Sequence, residues 1–325
     1  MKHGKQKTWA LVLAAGEGSR LSRLTTDATG RAVPKQFCSL NGGPSLLHEA
    51  MTRAHAIVPR ERLTTIVAAQ HRRWWQSALW SLPASNTFVQ PRNRGTANGI
   101  LLPLLKILRR DPFARIVFLP SDHFVRDEAT LGGALVEAVD QLGERPNELV
   151  LLGISPDEAD PELGYIVPRR EEHAAAAAVE RFVEKPEPAV ARGLIDAGGV
   201  WNSFIFAADG NALLALYRQR CPEIVEDMET ALARDGESGV NALTALYEQL
   251  PEVDFSRHIL QGAEERLRVL AVPPCGWNDL GTPRRVAETI RRLPAHNVER
   301  RERESSRPSA WLSLAAAHAR LQLAG

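Results

Sequence analysis

Short apolar runs alternate with helical patterns through the first half of this 325-residue chain. The runs that favour strands are residues 9–14, 63–68, 88–89, 115–119 and 149–154. The helical patterns between them cover residues 45–57, 72–81, 96–109 and 128–142. Since parallel strands need long crossovers, usually helices, this order predicts an α/β fold with a mostly parallel sheet and helices on both faces. In such a sheet, ligands bind outside the carboxyl ends of the strands.

The second half of the chain has a different pattern. Strands are predicted at residues 165–168, 179–184 and 200–207, and helices dominate from 189 to 249. The polyalanine stretch from Ala174 to Ala178 is interpreted as an exposed hairpin tip, with a short helix as the alternative. A glycine-rich loop is predicted at residues 235–239.

The C-terminal segment, residues 293–325, is predicted to be a charged linker followed by a helix. Arginine and glutamate alternate at residues 301–304, and residues 309–324 are rich in alanine and leucine. Two hypotheses stay open for the helix. It packs on its own domain, or it packs on a second subunit and forms a homodimer.

Two glycines and two cations follow the first predicted strand. Gly16 and Gly18 free the backbone for close approach to a ligand, and successive N–H groups in such a turn can cradle phosphate oxygens. Arg20 and Lys35 add positive charge. This combination indicates nucleotide phosphates.

Two common phosphate-binding motifs do not match this loop. A P-loop requires Gly-Lys-Ser/Thr, whereas the chain has Gly18-Ser19-Arg20. The dinucleotide fingerprint requires a third glycine, where Leu21 stands, and an acidic residue about 20 positions later. A plain glycine-rich strand-to-helix turn is the remaining alternative.

The pattern Gly-x-Gly-x-Arg followed by Pro-Lys resembles the sugar-1-phosphate nucleotidyltransferases. The variant Pro34-Lys35-Gln36-Phe37 is most similar to the mannose-1-phosphate guanylyltransferases. Further segments occur in the family's order: QPRNRGTA at 90–97, LPSDH at 119–123, ELGYI at 162–166, FVEKP at 182–186, WNSF at 201–204 and WNDLG at 277–281. The resemblance covers residues 8–292.

This resemblance implies a Rossmann-like transferase domain over residues 1–292, with a nucleotide half at 1–155 and a sugar half at 156–292. It implies Mg²⁺-dependent transfer of a nucleotidyl group, from GTP to mannose-1-phosphate, which yields GDP-mannose and pyrophosphate. Two alternatives stay open. The reaction uses another base or sugar, such as glucose-1-phosphate, or the chain is a catalytically silent homologue that binds a sugar nucleotide and regulates a partner.

Site residues are carried over from the family motifs. The implied catalytic residues are Arg20, Lys35 and Asp122, and Asp122 and Asp279 are the implied ligands of Mg²⁺, with Mn²⁺ as a substitute. The implied nucleotide-binding residues are Ala15, Gly16, Gly18, Ser19, Gln90, Gly95 and Thr96. The implied sugar-phosphate-binding residues are Gly164, Tyr165, Glu184, Lys185 and Asn202.

Three local features qualify this assignment. Glu184 and Lys185 are adjacent in a predicted strand, so their side chains point to opposite faces unless a kink before Pro186 redirects one. The family's Leu-Trp-Pro-Leu is here Leu-Ser-Arg-Leu at residues 21–24, which removes a proline and an aromatic ring and adds a charge near the predicted phosphate site. Asp254 lies in a further similar segment, and its role is open.

Composition adds the remaining expectations. The formal net charge is +1 and 44% of residues are hydrophobic, which is ordinary for a globular protein and predicts no binding to nucleic acid or membranes. Three widely spaced cysteines favour free thiols in a reducing compartment. The N-terminus lacks a signal-length apolar segment, so a cytoplasmic location is expected.

Overall fold

The computed structural model describes residues 8–27, 29–169, 175–235, 241–293 and 312–323. Its strands are β1 (Thr8–Ala14), β2 (Leu63–Ala68), β3 (Thr87–Gln90), β4 (Arg115–Pro120), β5 (Leu149–Ile154), β6 (Tyr165–Pro168), β7 (Ala177–Val183), β8 (Val200–Asp209) and β9 (Leu267–Ala271). Its helices are α1 (Leu46–His55), α2 (Arg72–Ala78), α3 (Gly95–Arg110), α4 (Glu128–Glu144), α5 (Pro188–Asp196), α6 (Gly210–Arg220), α7 (Pro222–Arg234), α8 (Ala242–Gln249), α9 (Pro283–Arg291) and α10 (Leu314–Leu323).

These strands form one mixed sheet in the order β3-β2-β1-β4-β8-β5-β9-β7-β6. Pairing is parallel among β3, β2, β1 and β4, and between β5 and β9. It is antiparallel where β8 lies between β4 and β5, and around β6 and β7. The predicted α/β fold is confirmed, and its sheet is mixed: the predicted parallel pairing holds for β3, β2, β1 and β4, the part that carries the glycine loop, and for β5 with β9.

Both faces of the sheet are covered, as predicted. In β1, Ala10 and Val12 face one hydrophobic core, and Trp9 and Leu11 face the other. Helices α1, α4 and α9 contribute buried residues to the first core, and α3, α6 and α7 contribute to the second. A strand buried on both faces reads as a continuous apolar run, which is why β1, β2 and β5 are evident in the sequence.

Strand β9 was not predicted. Its sequence, LRVLA, places a charged residue among apolar ones. Arg268 pairs with Glu148, whose carboxylate oxygen lies 2.6 Å from Nε, so the charge is neutralised beside the sheet. Such a long-range ion pair leaves no local signal, and the pairing with β5 emerges only in the folded chain.

The prediction of an exposed hairpin tip across the polyalanine stretch is wrong for most of its residues. Ala177 and Ala178 belong to β7 and pair with β9, and Ala176 is only 2% exposed. Sheet pairing overrides the weak strand preference of alanine. Ala174 and the predicted loop at residues 236–239 lie outside the described residues.

The C-terminal helix α10 docks on its own domain. The amide of Ser39 donates to the carbonyl of Leu312 at 2.9 Å, and the amide of Leu314 donates to the carbonyl of Ser39 at 2.8 Å. The Leu314 side chain is fully buried in the first core. Residues 294–311 of the predicted linker lie outside the described ranges, and contact of α10 with a second subunit stays a prediction.

No helix in the described part of the chain is long and apolar enough to span a membrane.

Replacing Leu314 with Ala should lower the free energy of unfolding by about 2–4 kcal/mol, because it leaves a cavity in the first core. Urea unfolding followed by circular dichroism measures the change. Ala316→Ser, on an exposed position of the same helix, is the control and should change stability by less than about 0.5 kcal/mol. Equal stability of L314A and the wild type would show that α10 adds no packing energy.

Candidate active site

A cavity of about 620 Å³ opens at the carboxyl ends of β1 and β4. The loop after β1 lines it with Ala15, Gly16, Gly18 and Arg20. The turn after β4 lines it with Ser121, Asp122 and His123. The expectation that both segments face one crevice is therefore confirmed, since the carboxyl ends of parallel strands meet at one edge of the sheet.

The glycine loop is held by the segment that contains Lys35. Gln36 Nε2 donates to the carbonyls of Ala14 and Gly16 at 3.1 and 3.0 Å. Gly18 has a φ of 65°, and a Cβ there would lie 2.9 Å from the backbone nitrogen of Lys35. A glycine is thus required at position 18 for two reasons: its backbone is left-handed, and the loop that contains Lys35 leaves no room for a side chain. Gln36 lines the cavity but was not assigned a role from the sequence.

Lys35 joins the two aspartates predicted to bind metal. Its ammonium lies 3.0 Å from Asp122 Oδ2 and donates to the backbone carbonyl of Asp279 at 2.6 Å. The residue is only 5% exposed. It does not line the open cavity itself, and it acts on the cavity through the carboxylate of Asp122.

The turns that carry the two aspartates are also paired through their backbones. Phe124 and Asn278 exchange two hydrogen bonds of 2.9 Å. Asp122 and Asp279 consequently line the same cavity although 157 positions separate them in sequence (279 − 122). Their juxtaposition agrees with the prediction from the sequence.

Charge around Asp122 keeps it ionised. Burial opposes its ionisation and is the largest single effect. The positive charge and hydrogen bond of Lys35, with smaller contributions from His123 and Arg20, together outweigh it, so the pKa of Asp122 lies below its usual value. Burial lowers the pKa of His123 to about 4, against the opposing charge of Asp122. His123 also packs edge-on against Trp277 at a ring separation of 5.2 Å. His123 is therefore neutral near pH 7 and held by packing against Trp277.

Arg20 lies at the mouth of the cavity. Its Nη1 is 3.4 Å from Glu162 Oε2, and both side chains are 53% exposed. An exposed pair of this kind contributes little to stability and exchanges partners easily. Ser19, predicted to bind phosphate, is exposed and does not line the cavity.

The predicted base-binding residues Gln90, Gly95 and Thr96 lie together. All three line the cavity, and the buried Gln90 Oε1 has no partner among the described residues. Gly95 has a φ of 81°, and a Cβ there would lie 2.3 Å from the carbonyl oxygen of Val253. Its glycine requirement is thus explained by this backbone contact. Thr96 Oγ1 accepts from the amide of Phe255 at 2.7 Å.

The predicted sugar end contains Gly164, Glu184, Lys185 and Asn202, all of which line the cavity. Lys185 has a φ of 49°, a left-handed conformation directly after β7. This is the kink that the sequence analysis required for both Glu184 and Lys185 to face the site. A Cβ on Gly164 would lie 2.5 Å from Glu184 Oε2, so this glycine makes room for the carboxylate.

Glu184 has an unusual ionisation state. Burial, followed by the negative charge of Asp254, raises the pKa of the Glu184 carboxyl to about 7. Asp254 and Arg257 also line the cavity, next to the π-helical turn Ser256–Leu260. Asp254 had no assigned role, and Arg257 was missed because no motif distinguishes it from any other surface arginine.

Tyr165 is the predicted sugar-site residue that the structure does not bring into the cavity. Its ring is fully buried in the first core, and its hydroxyl donates to the carbonyl of Asp160 at 3.0 Å. Alternation along β6 turns the side chain toward the core.

Among the described residues, no group of three or more His, Cys, Asp or Glu side chains is arranged to hold a metal ion.

Known proteins with similar sequences cover most of this chain. The xanthan biosynthesis protein XanB of Xanthomonas campestris pv. campestris (strain B100) is 30% identical over 278 residues, which cover 84% of this chain and 57% of XanB. A mannose-1-phosphate guanylyltransferase of Salmonella muenchen is 28% identical over 309 residues, 89% of this chain and 60% of that protein. The chain thus spans less than two thirds of the length of these relatives.

A solved structure supports the same relationship. The mannose-1-phosphate geranyltransferase from Thermus thermophilus superposes with a TM-score of 0.76 at 31% identity, covering 89% of this chain and 81% of that one. The nucleotidyl transferase family matches residues 9–295, which include all the residues that line the cavity. The chain therefore belongs to the nucleotidyl transferase family.

Proposed function

We propose that this protein transfers a nucleotidyl group from a nucleoside triphosphate to a sugar-1-phosphate, and that its substrates are GTP and mannose-1-phosphate. The observation that carries the proposal is the convergence of two sets of residues on one cavity. One set is the glycine loop with Asp122, which Lys35 holds, and the other set is Glu184, Lys185 and Asn202. The names of the relatives support the choice of substrates.

The chemistry needs positioning and charge neutralisation. An oxygen of the sugar-1-phosphate attacks the α-phosphorus and forms a new P–O bond, while the bond to the β-phosphate oxygen breaks and pyrophosphate leaves with the electron pair. Because the nucleophile is already an anion, no general base is required. Arg20 and Lys185, which line the cavity, supply positive charge that holds two polyanions together, and Lys35 fixes the Asp122 carboxylate.

The donors available also suit a divalent cation. Mg²⁺ is commonly held by one or two carboxylates together with substrate phosphates and water, so a larger protein cluster is unnecessary. Asp122 and Asp279 would hold Mg²⁺ or Mn²⁺, and the depressed pKa of Asp122 favours the ionised ligand. The bound ion would neutralise charge on the phosphates.

A catalytically silent sugar-nucleotide sensor is the alternative of a different class. Losing one of Arg20, Lys35, Asp122 and Asp279 is the simplest way for such a protein to become silent. Here all four are present, and Lys35 contacts both aspartates. This arrangement favours an enzyme.

The direct test is pyrophosphate release by the purified protein with Mg²⁺, in which GTP, ATP, UTP and dTTP are each combined with mannose-1-phosphate and glucose-1-phosphate. The largest rate is expected with GTP and mannose-1-phosphate, and EDTA should abolish it until Mg²⁺ or Mn²⁺ is added in excess. A larger rate with another pair would change the substrates and keep the reaction. No release from folded, nucleotide-binding protein would favour the silent homologue.

Asp122→Asn should reduce kcat at least about 100-fold, the scale expected when one preorganised electrostatic group is removed from an active site. The same pyrophosphate assay measures it, and thermal unfolding checks that the variant folds. Asp140→Asn, at an exposed position of α4, is the matched control and should keep full activity. Activity of D122N within threefold of the wild type would contradict the role given to Asp122.

The KM for mannose-1-phosphate should increase about 10-fold as the pH is lowered from 8 to 6. Since the pKa of Glu184 is raised to about 7, the carboxylate that accepts sugar hydroxyl hydrogen bonds is present above pH 7 and becomes protonated below it. Steady-state kinetics across this range give the profile. In the Glu184→Gln variant, the change in KM that comes from protonation of Glu184 should vanish. Only the change in KM that comes from ionisation of the sugar phosphate should remain. An identical profile in both proteins would show that Glu184 does not control sugar binding.

A further inference from the structure

Arg285, on helix α9, is a buried arginine in contact with an implied metal ligand. It is 3% exposed, and its Nη1 lies 3.1 Å from Asp279 Oδ1. Its Nη2 lies 2.8 Å from Asp160 Oδ2 and 3.4 Å from Glu158 Oε1. The guanidinium carbon is 4.8 Å from the centre of the Trp201 ring. These contacts hold the guanidinium in a single orientation.

The contacts continue from Asp160 to the mouth of the cavity. Asp160 Oδ1 accepts from the amide of Glu162 at 2.8 Å, and the Glu162 carboxylate pairs with Arg20. Asp160 thus uses one oxygen for Arg285 and the other for the segment that contacts Arg20. A continuous set of polar contacts therefore links Asp279 to the cation beside the glycine loop.

We propose that Arg285 is a positioning residue for Asp279. Its Nη1 occupies Oδ1 of the Asp279 carboxylate, its Nη2 is anchored on Asp160, and Oδ2 is left for a divalent cation bound with nucleotide in the cavity. The inference rests on the proposed function. A guanidinium suits this task because its planar, rigidly spaced donors hold both aspartates at once, which a rotating ammonium cannot do. Partners of metal ligands are known to set both ligand orientation and metal affinity.

The neighbouring Arg284 provides a matched control. It lies on the same helix, has a 56% exposed side chain, and contacts Glu158 and Glu288. Both arginines therefore contact Glu158, but of the two only Arg285 contacts Asp279 and Asp160. A difference between substitutions at these adjacent positions separates positioning of Asp279 from a general effect of charge on α9.

The experiment measures Mn²⁺ binding to the protein–GTP complex by electron paramagnetic resonance, with thermal unfolding in parallel. Arg285→Met should weaken Mn²⁺ binding by about 10- to 100-fold. Arg285→Lys should lose less Mn²⁺ affinity than Arg285→Met, because lysine keeps the positive charge but lacks the second donor nitrogen of the guanidinium. Arg284→Met should change the affinity less than twofold. The Mn²⁺ concentration that gives half-maximal pyrophosphate release should shift in the same order.

Unchanged Mn²⁺ affinity in folded R285M would overturn the inference. If R285M does not fold, the Asp160→Asn variant tests the proposal. It removes the negative charge of Asp160 that anchors the guanidinium, while Arg285 and Asp279 are kept. Weaker Mn²⁺ binding in D160N is then expected, and wild-type affinity would overturn the proposal. A wild-type protein that binds no Mn²⁺ with GTP would instead contradict the proposed function, and the inference with it.

Discussion

The ammonium group of Lys35 crosses from the loop after β1 to the turns that carry Asp122 and Asp279. Its contacts, at 3.0 Å and 2.6 Å, join segments up to 244 residues apart. A charge taken out of water is stable only with fixed partners, so the buried lysine constrains all three segments at once. Gln36, the next residue, fixes the glycine loop by the same backbone segment. The geometry of the glycine loop and of the two aspartate turns follows from these two neighbouring side chains.

Local backbone strain is concentrated around the same cavity. Among the described residues, the non-glycine positions with positive φ are Lys185, Phe204 and Leu280. Lys185 and Phe204 line the cavity, and Leu280 follows Asp279. The amides of Phe204 and Leu280 each donate to an asparagine two positions earlier, Asn202 and Asn278. The two Trp-Asn segments therefore build similar turns, which offset the strain and aim side chains into the site.

Much of the fold could be predicted because its central strands are apolar on both faces. Strands β2 and β5 have the predicted bounds, and α3 and α4 differ from prediction by one or two residues at an end. Prediction failed where a strand depends on distant partners. Strand β9 contains a charge that Glu148 neutralises, and the alanines of β7 have no strong preference of their own.

The candidate site was predictable to the extent that its chemistry is local. The spacing of glycines and cations indicates phosphates, and the family motifs point to Asp122, Asp279 and the residues of the predicted sugar end. Side-chain direction was harder to predict. Tyr165 turns into the core because β6 alternates, and Lys185 turns into the cavity because its backbone is left-handed.

The sequence by itself determined the order of the strands other than β9, the prediction that the glycine loop binds phosphate, and the identity of the charged residues. Tertiary structure alone decided which charges meet. Arg285 looks like one more arginine in a basic segment, yet it is buried between Asp160 and Asp279. The physical reason is that folding brings α9 against the segment with Glu158 and Asp160, and Arg285 and Glu158 are 127 positions apart. A pairing between charges at that separation has no periodicity in the sequence.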